Sequence, residues 1–239
     1  MKRLGLVLLL IAALASPAMA GPTGQVQGGY SFTADGLFGP YRNNTAGGEY
    51  TFTQLGGAWF PLTGYVSGRT SNVGFGAPAN SFQTFCIEAT QEPISGYNTI
   101  YNAEITNTVQ LANNRVSQGT GWLYQQFAIG SLAGYTFVGT QDARRASAYL
   151  LQQTLWWLEG YTINPNNIFS TAVITQFGSA ANAILNGGEN YGVYALNLRF
   201  VTGAPAQDML VYVPDGGATL MLLGGALMGL GALRRKFRV

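Results

Sequence analysis

The sequence predicts an α+β fold: an antiparallel β-sheet or barrel in the N-terminal half, a helical segment in the middle, and late strands that close the sheet. Three observations carry that reading. Residues 21–101 are rich in Gly, Thr, Tyr and Phe, and their short alternating apolar and polar runs are broken by Gly-containing turns. From about Ala103 the texture turns helical, with capping residues and Gly stops at the ends of the runs. Alternation then returns at Tyr191.

The early strands fall at Gln25–Thr33, Glu49–Leu55, Gly64–Arg69 and Ser81–Glu88, separated by Asp35-Gly36, Ala46-Gly47-Gly48 and Gly56-Gly57. Helices are expected at Ala103–Ser117, Trp122–Leu132, Asp142–Glu159 and Ser170–Leu185. The third starts at an Asp142 cap and stops at Gly160; the fourth starts at Ser170 and stops at Gly187-Gly188. Late strands are expected at Tyr191–Val201 and Met209–Val213, with Thr202–Gln207 as a joint.

Both ends read as processing segments. Lys2 and Arg3 precede the apolar run Leu4–Leu14, and Ala18-Met19-Ala20 offers a cleavage site, so residues 1–20 are a signal peptide and the mature chain starts at Gly21. No Cys follows that site, which argues against a lipoprotein. At the other end the run from Gly216 to Leu233 is 18 residues without a charge. As a helix it is about 27 Å long at ~1.5 Å per residue, close to a hydrocarbon core of ~30 Å. Arg234, Arg235, Lys236 and Arg238 follow it and belong on the cytoplasmic side, so the preceding residues face outward. A core helix is rarely apolar all round and then basic at the chain end.

The tail, with Val213-Pro214-Asp215-Gly216-Gly217, a Gly/Ala/Leu-rich span and an Arg-rich end, resembles the PEP-CTERM class of bacterial sorting signals, most closely its VPDSG-CTERM variant. Gly216 stands where that variant often has Ser. The resemblance implies export across the inner membrane of a Gram-negative-type bacterium, by way of signal peptidase. It implies a membrane-anchored precursor, cutting near the motif by an exosortase, and a final place at the cell surface or in the extracellular matrix. The exported domain is then 21–207 and the sorting signal 213–239.

Charge excludes several functions. Outside the two ends the basic residues are Arg42, Arg69, Arg115, Arg144, Arg145 and Arg199, against nine acids up to Val213, so the exported part is near −3. No nucleic-acid groove is expected, and the pair Arg144-Arg145 reads as a solvated helix face. There is no His and there is one Cys. Ser-His-Asp and Cys-His catalysis, His-containing zinc sites and an intrachain disulfide are all excluded. No cofactor is expected, and the reading is non-enzymatic. The alternative is a carboxylate hydrolase acting on extracellular polysaccharide, if two of Glu88, Glu92, Glu104, Asp142, Glu159 and Glu189 met in space. A passive matrix component that binds sugar or protein weakly is the third reading.

The remaining chemistry centres on Cys86. Gln152 shares a face of its expected helix with Tyr149, Leu155 and Trp156, at spacings of three and four. A buried amide among large apolar groups is costly unless hydrogen-bonded or consumed by reaction. A Cys thiolate attacking it expels ammonia and leaves a thioester. Phe85-Cys86-Ile87, Tyr124–Ala128 and Leu151–Trp156 occur in that order and resemble the three motifs of the Cys-Gln thioester (TQxA-type) adhesin domains. The resemblance implies that Cys86 and Gln152 bond, that Gln125, Phe85 and Trp156 support them, and that a surface amine or other nucleophile on the target is acylated. Leu151, Thr154 and Leu155 replace the family's Thr, Ala and Ile/Val. Against this stands the plain reading: Cys86 as a small buried hydrophobe and Gln152 as a satisfied buried amide.

Overall fold

A computed structural model describes residues 23–31, 48–56, 80–89 and 99–214, apart from 111, 139, 164 and 187–189. The signal peptide, the Gly64–Arg69 strand and the span 216–233 with its basic end lie outside the described residues. Among the described residues no helix is long and apolar enough to cross a membrane.

Among the described residues six antiparallel strands and four helices follow one another in blocks. The strands are β1 (Thr23–Ser31), β2 (Tyr50–Leu55), β3 (Ser81–Thr84), β4 (Ile100–Thr106), β5 (Val193–Phe200) and β6 (Met209–Tyr212). Their order in the sheet is β3-β2-β1-β4-β5-β6. The two edges meet where β3 runs out: Leu210 N–H donates to Phe85 O at 3.0 Å and Ile87 N–H to Asp208 O at 2.9 Å. Thr84 Oγ1 adds a bond to Leu210 O at 2.5 Å. The sheet thus rolls into a barrel with a short seam, which satisfies edge groups that would otherwise be open.

The expected Ala103–Ser117 helix is corrected by β4. Tyr101, Ala103 and Ile105 are buried while Asn102 and Glu104 are exposed, a period of two. Pairing to β1 on one side and β5 on the other fixes this segment as a central strand. Thr202–Gln207, read as a joint, forms the β5–β6 loop, with Phe200 N–H bonded to Ala204 O at 2.9 Å.

Helices α1 (Gln118–Ile129), α2 (Gln141–Leu158), α3 (Ile168–Phe177) and α4 (Ala180–Ala183) follow β4. Thr140, not Asp142, caps α2, accepting from Ala143 N–H, while Asp142 sits in the first turn, where its charge suits the dipole. Asn167, not Ser170, caps α3 through a capping box with Ser170, and α3 stops at Gly178 with φ 75°. One apolar cluster lies inside the curved sheet, with Val26, Phe52, Phe82, Tyr101, Leu198 and Met209. A second joins the sheet to the helices through Phe85, Leu123, Phe127, Leu151, Leu155 and Phe169.

Close packing of α1 depends on missing side chains. A Cβ on Gly121 would stand 2.7 Å from the backbone oxygen of Asn190. Gly121→Ala is therefore expected to lower stability by about 1–3 kcal/mol, as overpacking does. Urea unfolding against wild type measures this, and an unchanged midpoint contradicts the contact.

The pair Arg144-Arg145 is not one solvated face. Arg144 is buried and donates from Nη2 to Glu49 Oε1 at 2.5 Å and from Nε to Glu49 Oε2 at 2.9 Å. Nη1 reaches Phe137 O at 3.2 Å, and Tyr135 Oη also donates to Glu49. Burial works against the guanidinium charge, but the Glu49 carboxylate outweighs it and raises the Arg144 pKa. This fork fastens the first turns of α2 to the residue before β2. Arg145 remains at the surface beside Asp142.

Candidate functional site

Cys86 lies on the barrel seam and is fully buried. It forms an antiparallel bridge with Met209, but the bonds of that bridge are made by its neighbours Phe85 and Ile87. Its own N–H and C=O therefore point away from β6, as they do at a non-hydrogen-bonded pair. Gln152, also fully buried, takes both. Cys86 N–H donates to Gln152 Oε1 at 3.1 Å, and Gln152 Nε2 donates to Cys86 O at 2.8 Å. The side-chain amide acts as a one-residue strand opposite Cys86. The expected pair, 66 positions apart in the chain, is thus brought together.

Supporting residues divide. Phe85 meets Phe127 edge-on at 5.0 Å and Tyr135 at 6.4 Å, which anchors the seam on α1. Trp156, one turn beyond Gln152, packs in the same apolar cluster as Cys86. Its Nε1 is buried and has no hydrogen-bond partner among the described residues. Gln125 is half-buried on α1, and its described hydrogen bond is to Gln126 Nε2 at 3.4 Å rather than to the pair. Val213 and Pro214 are half-buried after β6, with Val213 N–H bonded to Gly192 O at 2.7 Å. Asp215, Gly216, Gly217 and the basic residues Arg234, Arg235, Lys236 and Arg238 lie outside the described residues.

Of the carboxylates considered for hydrolysis, Glu92 and Glu189 lie outside the described residues. Glu88 meets an acid that was not among them, Asp208, whose N–H donates to Glu88 Oε2 at 3.1 Å. Both side chains are fully buried, so they do not face each other across an open cleft. Gln110 binds Asp208 twice at 2.6 Å, and Leu198 N–H donates to it at 3.3 Å. Burial pushes the Asp208 carboxyl up to about 7, the Glu88 charge adds to the rise, and the Gln110 and Leu198 donors oppose it. Glu159 is also raised, by burial, although Ser117 N–H donates to it at 3.1 Å.

The Asp208 shift fixes a pH dependence. Its folded pKa, about 7, exceeds the ordinary carboxylate value of 3.8, so the native state holds the proton longer than the unfolded one. Stability should therefore fall as pH rises from about 4 to 7, then level off above it. Asp208→Asn, which keeps the acceptor for Leu198, should flatten that slope. Urea midpoints across the range test this; a rise in stability over the same interval that Asp208→Asn leaves unchanged refutes it.

Fold and tail together define a class: an exported α+β protein that carries its own sorting signal. That signal is of the PEP-CTERM type, since residues 212–237 match the family model described as the VPDSG-CTERM motif. It implies processing by an exosortase-type enzyme and placement at the surface of a Gram-negative-type bacterium. No curated protein and no solved structure matches the chain.

Proposed function

We propose that this protein is sorted to the cell surface or matrix and attaches there covalently through a Cys86–Gln152 thioester. The observation that carries the reading is the paired hydrogen bonding of the Gln152 amide to Cys86 inside a sealed apolar cluster. Cys86 N–H, bonded to Gln152 Oε1, polarises the amide carbonyl and can stabilise the oxyanion that forms during attack. Cys86 Sγ bonds to the Gln152 carbonyl carbon, the C–N bond breaks, and the thiol proton leaves with the nitrogen as ammonia. Burial keeps water from the resulting acyl group. A target amine then displaces the sulfur, giving an amide to Gln152 and returning the Cys86 thiol. The exported domain has no Lys to consume the acyl group internally.

Intact mass spectrometry of the full chain tests the reading. The expected mass is lower than the sequence mass of the processed chain by one ammonia. Methylamine should add to it covalently, and Cys86→Ala should abolish both effects. A full sequence mass with no methylamine uptake leaves Gln152 as a structural amide only.

A further inference from the structure

The face of the sheet opposite the inner core carries a feature that neither the sorting signal nor the Cys86–Gln152 pair uses. A groove of about 490 Å³ runs across β1, β4 and β5. Its floor is set by register: Gln25 pairs with Asn102 and Asn102 with Arg199, while Glu104 pairs with Asn197. These side chains project on the side away from Val26, Tyr101, Ala103 and Leu198, because strand residues alternate. Gln110 stands at its rim.

The chemistry of this floor is narrow. Among the described residues it holds one carboxylate and one guanidinium, a charge near zero that does not attract a polyanion. Among the described residues lining it there is no aromatic ring, and Leu55 is the one large apolar side chain, which favours a polar ligand over a lipid. What it offers is planar amide, carboxylate and guanidinium groups that donate and accept side by side. Gln25 Nε2 already donates to Asn102 Oδ1 at 3.0 Å, which holds that row in place. Glu104 is exposed and has no hydrogen-bond partner among the described residues. The Asn197 Oδ1 is buried and likewise unpartnered among them, so it gains a bond by turning to a donor. Vicinal hydroxyls, each a donor and an acceptor, complement such a surface.

We infer that this groove is a binding site for a neutral, hydroxyl-rich glycan, engaged by hydrogen bonds to Gln25, Asn102, Glu104, Asn197 and Arg199. The inference is independent of the thioester. It places a non-covalent recognition surface on the same domain, separate from the seam. Net hydrogen bonds to exposed side chains are individually weak, and a polymer with repeated units is the natural ligand.

Affinity electrophoresis of the full chain in a polyoxyethylene detergent, which carries no sugar, tests the inference. The gels contain dextran, laminarin or galactomannan, with alginate as the charged comparison. The protein carries Cys86→Ala throughout, so acyl transfer cannot contribute and a failure of the thioester reading leaves this result untouched. Retardation by at least one neutral polymer is expected, and Asn102→Ala or Glu104→Gln should raise the apparent dissociation constant about tenfold with unchanged melting. Retardation by none of the neutral polymers, by alginate alone, or equally in the variants overturns it.

Discussion

Glu49→Ala is expected to lower the stability of the exported domain by about 3–5 kcal/mol, the range seen when one partner of a buried ion pair is removed. The size follows from what is left behind. Arg144 is 3% exposed and cannot shed its charge, so its guanidinium stays buried beside Tyr135 without the carboxylate that balanced it. The Tyr135 hydroxyl also loses the bond it donates to that carboxylate, and its ring packs on Phe127 at 4.9 Å. At about 2–4 °C per kcal/mol for a domain of this size, melting should fall by on the order of 10 °C. Replacing both partners, Glu49→Leu with Arg144→Met, should recover much of the loss, because no charge is then left unpaired. Arg145→Ala on the same helix is the control. Its partner Asp142 is 86% exposed, so the change should stay within about 0.5 kcal/mol. Equal losses for Arg145→Ala and Glu49→Ala would mean that burial of the fork is not what matters.

The features legible in the sequence were those with a local signal. Alternation between Gly-containing turns marked β1, β2, β3, β5 and β6 to within a few residues, and helical spacing marked α2. The segment Ala103–Ser117 misled because Ala103, Glu104, Gln110 and Ala112 favour helices in isolation. Two neighbouring strands override that preference, and only the alternation of Tyr101, Ala103 and Ile105 recorded it. Caps were displaced by two or three residues because several polar side chains precede each run, and only backbone geometry selects among them. Long-range pairs were legible only where a motif named both partners. Cys86 and Gln152 had such motifs. Glu49 with Arg144, 95 positions apart, and Glu88 with Asp208, 120 apart, had none.

Gln152→Leu separates the structural role of the amide from its chemistry. Leucine matches glutamine roughly in volume but has no polar atoms, so the Cys86 N–H and C=O lose the partners they have at 3.1 and 2.8 Å. Neither can turn to β6, because Phe85 and Ile87 already make those bonds. Two buried hydrogen bonds are then lost, at about 1–3 kcal/mol each, for an expected loss of about 2–5 kcal/mol. Cys86→Ala keeps the backbone pair and removes only the sulfur, so its cost should be a small cavity, about 1 kcal/mol. If the thioester forms, both variants abolish the ammonia deficit and methylamine uptake, and both lose a covalent cross-link that spans 66 positions, so both melt markedly lower. If Gln152 serves only as a surrogate strand, the mass never departs from the sequence value and only Gln152→Leu melts markedly lower. Equal melting losses with an unchanged mass would show that the sulfur's packing, not the amide's bridge to Cys86, holds the seam closed.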